Sequence, residues 1–150
     1  MTNNKKLFNQ ISIIGLGLIG SSLALSIRKS KISSRTVGYS RSPKTRNTSK
    51  RLKLVDKVSN KLEDSVRGSD LIIVCTPLSS YANIIKKIIP HISKGTIISD
   101  VGSAKEKTIN EIIPLLSNDD IFIPAHPIAG TEKSGPSAGF AELFNDRWCI

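Results

Sequence analysis

Short apolar runs alternate with segments of helical character along the chain. Five runs have the length and composition of strands, at residues 11–14, 36–39, 70–75, 96–99 and 121–123. Five segments between or after these runs are predicted to be helical, at residues 21–29, 43–54, 60–66, 79–89 and 104–116. The pattern therefore predicts strands and helices in alternation.

The predicted strands are apolar throughout instead of alternating, which indicates a sheet covered by helices on both faces. Repeated strand–helix–strand units with short connections predict parallel pairing. We therefore expect an α/β fold with a doubly wound, mostly parallel sheet, in one domain over residues 1–150. Residues 147–150 look like the start of a further strand, so we expect the chain to be part of a longer protein.

The composition excludes several classes of protein. With 39% hydrophobic and 23% charged residues, the chain is neither disordered nor fibrous. No apolar run approaches the roughly 18 residues of a membrane span, and the segment MTNNKKLFNQ lacks the apolar stretch of a secretory signal. Cys75 and Cys149 cannot form a disulfide framework or a zinc site alone. We expect a cytoplasmic protein without a metal.

The positive charge is concentrated in one stretch. The formal net charge is +10; residues 28–67 hold 13 Lys or Arg and 3 Asp or Glu, whereas the remaining residues hold 9 of each sign. Such a stretch binds nucleic acid, binds the phosphate of a small ligand, or is a solvated face. Tyr39 is its single aromatic residue, which leaves little for base stacking. We therefore expect no nucleic-acid partner.

A glycine pattern, G-x-G-x-x-G, joins the first predicted strand to the first predicted helix as Gly15, Gly17 and Gly20. In this pattern the first glycine allows a tight turn, the second lets the backbone approach a pyrophosphate, and the third lets helix and strand pack closely. The helix amino terminus, with Leu18 and Ile19, offers free N–H groups to phosphates. We expect dinucleotide binding here, and a purely structural glycine turn is the alternative.

The residues after the second predicted strand bear on the choice of dinucleotide. An acidic residue about 20 positions after the glycines normally binds the ribose 2′-hydroxyl. This chain has Ser40 and Arg41 there instead. A Ser-Arg pair can receive a 2′-phosphate through charge-assisted hydrogen bonds, with Lys44 and Arg46 as candidates to help. The sequence therefore favours NADP, while NAD stays open because it also binds without the acidic partner.

Two polar segments follow later predicted strands, at residues 99–105 and 126–135. Ligands of open α/β sheets sit beyond the carboxyl ends of the strands, so both segments should face the crevice of the glycine turn. Ser103 is either a functional hydroxyl or only a helix N-cap. His126 lies among proline and small residues and is poorly placed for the core. Asp100 either orients backbone near the crevice or is purely structural.

Three motifs resemble the nicotinamide-binding domain of prephenate and arogenate dehydrogenases. They are the glycine turn at 15–20, the segment DVGSAK at 100–105 and the sequence HPIAGTEKSG at 126–135, which is the most specific. The tail at 136–150 is similar to bacterial cyclohexadienyl dehydrogenases, which often accept both substrates. The resemblance covers residues 11–150 and implies a Rossmann-type NAD(P)-binding domain from an oxidoreductase of tyrosine biosynthesis.

The resemblance also implies roles for individual residues. His126 would accept the proton of the substrate's ring hydroxyl as hydride leaves the ring for the nicotinamide, and loss of CO₂ would make the product aromatic. Ser103 matches a serine that contacts the same hydroxyl and helps to place the nicotinamide. The positions that match the substrate loop are Thr131 and Glu132, and those that match a turn along the cofactor are Thr76 and Pro77.

Members of this family continue into a helical domain that builds a homodimer and supplies an arginine for the ring carboxylate. We expect this chain to lack that domain, and Arg147 is a poor substitute for the arginine. The chain should therefore bind NADP(H) and turn over prephenate weakly or not at all. Two alternatives remain: a dehydrogenase of the β-hydroxyacid class, which the HPIAGTEKSG motif argues against, and a non-catalytic module that binds nucleotide or nucleic acid.

Overall fold

The computed structural model describes residues 6–150, which form a sheet of six parallel strands. The strands are β1 (Phe8–Ile14), β2 (Ser33–Tyr39), β3 (Lys57–Ser59), β4 (Leu71–Val74), β5 (Ile97–Asp100) and β6 (Ile121–Ile123). Their order is β3-β2-β1-β4-β5-β6, so the chain builds outward from β1 to one edge and then from β4 to the other. The strand order therefore reverses direction between β1 and β4, and this reversal opens a crevice at the carboxyl ends of these two strands.

The helices of the described residues cover the two faces of the sheet. They are α1 (Leu18–Ser30), α2 (Pro43–Arg51), α3 (Leu62–Val66), α4 (Tyr81–Ile88) and α5 (Lys105–Ile112). On one face, Ala24 and Ile27 of α1 pack with Ile11 and Ile13 of β1. On the other face, buried residues of α3, α4 and α5 pack around Ile72 and its neighbours in the sheet. The two apolar clusters confirm the doubly wound α/β sheet.

The boundaries of several elements differ from the sequence prediction. The strand β3 was not predicted, because its three residues, Lys-Val-Ser, are too few and too polar to form an apolar run. The helix α1 begins at Leu18 instead of residue 21, directly after the glycine turn. The helices predicted at 43–54 and 104–116 end earlier, at Arg51 and Ile112. The second of these continues as a 3-10 turn that contains a proline.

The β6 edge of the sheet corrects two expectations. Ile121 and Ile123 are 43% and 50% exposed, so helices do not cover both faces of the sheet at β6. Residues 147–150 do not continue the six-stranded sheet. They form a short antiparallel pairing with residues 126–128 around the bridge between Pro127 and Cys149, which leaves the neighbouring Trp148 exposed.

None of the helices in residues 6–150 has both the length and the apolar character needed to cross a membrane. Residues 1–5, which are half of the segment MTNNKKLFNQ, lie outside the described part of the chain.

Candidate functional site

The three glycines between β1 and α1 have different surroundings. Gly15 has a φ of +100°, and a Cβ there would lie 2.7 Å from the carbonyl oxygen of Cys75. A Cβ at Gly20 would overlap the carbonyl oxygen of Gly15. At Gly17, by contrast, a Cβ would meet no atom within 4 Å. The fold therefore requires glycine at positions 15 and 20, whereas the space beside Gly17 is open to a ligand.

The amino terminus of α1 provides a site for negative charge. Gly17 is the N-cap residue, no side chain caps the helix, and its first turn contains no acidic residue. The N–H of Ser21 donates to the carbonyl oxygen of Gly17 at 2.9 Å. Leu18, Ile19 and Gly20 come before Ser21 in the helix, so their N–H groups have no acceptor within it. Together with the helix dipole, they favour an anion such as a phosphate.

A cleft of about 490 Å³ opens in front of the glycine turn. Six residues expected to bind a cofactor line it, namely Gly15, Gly17, Ser40, Arg41, Thr76 and Pro77. Leu18, Ile19 and Gly20 do not line it, although they form the first turn of α1 beside it. The structure thus brings the ends of β1, β2 and β4 together around one cleft.

The cleft also has lining residues that the sequence analysis did not assign to it. They are Ile14, Leu16, Tyr39, Ser42, Thr45, Leu62, Cys75, Ser79, Ser80, Asn83, Ile84, Lys87, Gly135 and Pro136. Ser42, Ser79 and Ser80 follow the ends of β2 and β4, which is the signal that would have indicated them. Within the described part of the chain, none of the lining residues is acidic, whereas Arg41 and Lys87 are basic.

The loop that carries Ser40 and Arg41 is braced by α2. The Ser42 hydroxyl, at the N-cap, accepts a hydrogen bond from the Thr45 N–H at 3.3 Å. Nη1 of Arg46 donates to the carbonyl oxygens of Ser40 and Arg41, at 2.6 and 2.9 Å. Neither Arg46 nor Lys44 lines the cleft, so their expected help in binding a ligand is not supported. Arg46 instead holds the loop that presents Arg41.

The four residues expected to contact a substrate lie outside this cleft, namely Ser103, His126, Thr131 and Glu132. His126 is half-buried, and its N–H and carbonyl groups form hydrogen bonds of 2.7 and 3.0 Å with the backbone of Ile150. Thr131 and Glu132 are exposed. Ser103 is exposed in the turn before α5, whose N-cap is Ala104. The N-cap interpretation of Ser103 is therefore wrong.

A buried ion pair connects the Ser103 turn to the His126 loop. Asp100, the last residue of β5, is 1% exposed. The Nζ of Lys105, at the start of α5, donates to both of its carboxylate oxygens, at 2.6 and 2.5 Å. The same Nζ donates to the carbonyl oxygen of Ala125 at 2.8 Å. Sequence reasoning left the role of Asp100 open; the structure shows that the pair reaches the backbone of both segments.

Residues 135–142, which we call the return segment, fold back over α1 to the cleft. Gly135 and Pro136 line the cleft, and the N–H of Phe140 donates to the hydroxyl of Ser22 in α1 at 3.1 Å. Lys29 donates to the carboxylate of Glu142 at 2.7 Å, and this hydrogen bond lowers the pKa of Glu142. The return segment therefore connects the loop that carries His126 to α1.

Replacing Gly139 with alanine tests this packing. A Cβ at Gly139 would lie 2.6 Å from the Cβ of Ser21 and 3.0 Å from its carbonyl carbon, so either α1 or the return segment must move. We expect Gly139→Ala to lower the free energy of unfolding by about 1–3 kcal/mol, measured by urea denaturation. Gly130→Ala is the control, because a Cβ there would meet no atom within 4 Å. Equal stability of the two variants would contradict the packing described.

The parallel sheet, the glycine turn and the cleft define a Rossmann-type nucleotide-binding domain. The chemistry of the cleft fits a dinucleotide. The free N–H groups of α1 and the open space at Gly17 can receive phosphate groups, and none of the described lining residues is acidic. Residues 23–150 match the family described as "Prephenate dehydrogenase, nucleotide-binding domain". The chain belongs to this family, which confirms the resemblance inferred from its motifs.

Characterised relatives agree with this assignment. The chain is 42% identical over 140 residues to the cyclohexadienyl dehydrogenase of Zymomonas mobilis, covering 93% of this chain and 47% of that enzyme. A crystal structure of prephenate dehydrogenase from Aquifex aeolicus, with hydroxyphenyl propionate and NAD⁺, is similar with a TM-score of 0.86 at 28% identity, covering 95% and 49% of the two chains. For Synechocystis arogenate dehydrogenase the TM-score is 0.83 at 33% identity, with 92% and 48% covered. The chain thus spans about half the length of these relatives.

Proposed function

We propose that the chain is the cofactor-binding domain of an NAD(P)-dependent dehydrogenase that oxidatively decarboxylates prephenate, arogenate or both, in tyrosine biosynthesis. The family match over residues 23–150 carries this proposal. Relatives named as cyclohexadienyl, prephenate and arogenate dehydrogenases support both substrates as candidates. The proposed small-molecule substrate would bind beside the cleft, where the loops after β5 and β6 carry Ser103 and His126.

The proposed chemistry needs a base and an aligned ring hydroxyl. The bound cofactor supplies the hydride acceptor. A ring nitrogen of His126 takes the proton of the substrate's ring hydroxyl, while the hydroxyl of Ser103 hydrogen-bonds to the same oxygen and keeps it aligned. Hydride leaves the ring carbon and the ring carboxylate leaves as CO₂, so that the product ring becomes aromatic. Thr131 and Glu132 would line the substrate side of this site. We also propose that the protein works as a homodimer, as the family resemblance implies.

We propose NADP as the preferred cofactor. The glycine turn and the amino terminus of α1 would hold the pyrophosphate, and Thr76 and Pro77 would lie along the nucleotide. Ser40 and Arg41 would bind the 2′-phosphate, because the guanidinium group forms charge-assisted hydrogen bonds with phosphate oxygens. The absence of acidic side chains among the lining residues of the described chain supports this preference.

Calorimetric titration of the chain with NADP⁺ and NAD⁺ tests the preference. We expect Arg41→Ala to weaken NADP⁺ binding by about 10- to 100-fold, which corresponds to the loss of hydrogen bonds to a charged group, and to leave NAD⁺ binding unchanged. Arg51→Ala is the control, since Arg51 is an exposed cation at the far end of α2 and does not line the cleft. Equal affinity for both cofactors, unchanged in Arg41→Ala, would contradict the proposed phosphate site.

The proposed reaction is tested with a chimera in which this chain replaces the matching 47% of the Zymomonas enzyme. We expect the chimera to form reduced nicotinamide from prephenate or arogenate. Release of one CO₂ per hydride transferred would support the reaction. A folded chimera that binds cofactor but converts neither compound would contradict the proposed substrate class.

A further inference from the structure

We propose that the buried pair of Asp100 and Lys105 positions Ser103 and His126 relative to each other. This inference rests on the proposed function, which makes those two residues the ones that contact the substrate. Neither Asp100 nor Lys105 lines the cleft, so the pair acts through the backbone and not by contact with the cofactor. Asp100 and Lys105 are therefore positioning residues and not catalytic ones.

The Asp100 carboxylate binds the residue directly before each of these two residues. Its Oδ2 accepts a hydrogen bond from the N–H of Gly102 at 2.9 Å, and Gly102 precedes Ser103. Its Oδ1 accepts one from the N–H of Ala125 at 3.2 Å, and Ala125 precedes His126. One carboxylate thus fixes two chain segments that are 23 residues apart in the sequence. The backbone positions of Ser103 and His126, which follow directly, are thereby held relative to each other.

Lys105 closes this arrangement from the other side. Its Nζ donates to both carboxylate oxygens of Asp100 and donates a third hydrogen bond to the carbonyl oxygen of Ala125. Ala125 is therefore held through both its N–H and its carbonyl group. The Lys105 side chain is 22% exposed and that of Asp100 is 0% exposed, so water competes weakly with these bonds.

Two other titratable groups that face Asp100, Tyr81 and Cys75, add no negative charge beside it. The phenol of Tyr81 donates to the carbonyl oxygen of Val74 at 3.3 Å, and the thiol of Cys75 follows β4. Burial and the Asp100 carboxylate raise the pKa of both Tyr81 and Cys75, so both are neutral at physiological pH. The turn is also closely packed at Gly102, where a Cβ would overlap Cδ2 of Leu78 and lie 3.1 Å from Oδ2 of Asp100.

Nuclear magnetic resonance of the 150-residue chain tests the positioning role, because the chain has two histidines, His126 and His91. In Lys105→Met and in Asp100→Asn, we expect the ring signals of His126 to shift. We also expect amide exchange at Gly102 and Ala125 to become about 10-fold faster or more, as for the loss of a hydrogen bond to a charged group. His91 is the internal reference, and its signals should stay in place.

Two further variants separate positioning from general stability. Lys105→Arg keeps the cation and is expected to restore most of the His126 signals and the slow exchange. Lys94→Met removes an exposed ion pair with Asp119, of 3.0 Å, and is expected to change neither. If Asp100→Asn does not fold, Lys105→Met decides the question. Unchanged His126 signals in folded Lys105→Met, or faster exchange spread equally over β1 and β4, would overturn the proposal.

The chimera with the Zymomonas enzyme adds a kinetic test. We expect Lys105→Met to lower kcat by about 100-fold, as for small misplacements of reacting groups, with the KM for cofactor unchanged. The same substitution should have no further effect in a His126→Asn background. A fall in kcat of equal size in that background would overturn the proposal. A chimera that folds and binds cofactor but is inactive would contradict the proposed function, and the magnetic resonance result would then decide on the positioning of the two loops by itself.

Discussion

Replacing Gly17 with alanine is expected to weaken NAD(P) binding by about 100-fold or more, equivalent to about 2.7 kcal/mol, without a loss of stability. The backbone at Gly17 is extended, with a negative φ of −82°, and a Cβ there would meet no atom of the protein within 4 Å. The new methyl group would instead occupy space that the pyrophosphate needs. Calorimetry should show the loss of binding, and urea denaturation should show a free energy of unfolding within about 0.5 kcal/mol of the wild type.

Gly20→Ala is the matched control for this experiment. A Cβ at Gly20 would overlap the carbonyl oxygen of Gly15, so α1 must move away from the turn. We expect a loss of about 3 kcal/mol in the free energy of unfolding, which exceeds the gain of about 1 kcal/mol from the higher helix propensity of alanine. If Gly17→Ala bound NAD(P) with the affinity of the wild type, the pyrophosphate could not lie beside Gly17. That result would contradict the proposed placement.

Replacing His126 with asparagine is expected to lower kcat of the chimera by about 100- to 10,000-fold, the usual contribution of a general base. The reason is that asparagine keeps a polar side chain of similar size but cannot accept the proton. Cofactor affinity should stay unchanged, since His126 does not line the cleft. Formation of reduced nicotinamide from prephenate and from arogenate measures the rate.

His91→Asn is the control for His126→Asn. His91 hydrogen-bonds to Arg67 at 2.9 Å through Nδ1 and belongs to a 3-10 turn after α4, so its replacement should leave kcat unchanged. Equal rates in the His126→Asn variant and the unmodified chimera would remove His126 from the proposed reaction. Ser103 or another group would then have to take the proton.

The local parts of the fold could be predicted from the sequence. A turn such as Gly15 to Gly20 depends on backbone conformations that only a few neighbouring residues determine, so its pattern is visible in six positions. The strands β1, β4 and β5 were located because continuous apolar runs are needed where both faces are covered. The same rule was wrong for β6, whose apolar residues are partly exposed at the edge of the sheet.

The contacts between distant segments could not be predicted. The bond from Lys105 to Ala125 joins residues 20 positions apart, and that from Phe140 to Ser22 joins residues 118 positions apart. Neither contact is visible as a pattern in the neighbouring sequence, because each depends on how β5, β6 and α1 are arranged in space. Arg46 is a further case, since a count of basic residues does not tell which guanidinium group faces the ligand and which one braces the loop.

We propose that the dinucleotide held at the glycine turn places its nicotinamide beside the loops of Ser103 and His126. Amide and histidine-ring signals of the chain, followed during titration with NADP⁺, test it most directly. We predict shifts at Gly17 and Arg41 together with shifts at Ser103 and in the ring of His126. Adenosine 2′,5′-bisphosphate, which lacks the nicotinamide, should shift only the first two. No shift at the glycine turn, or identical shifts with both ligands, would contradict the account.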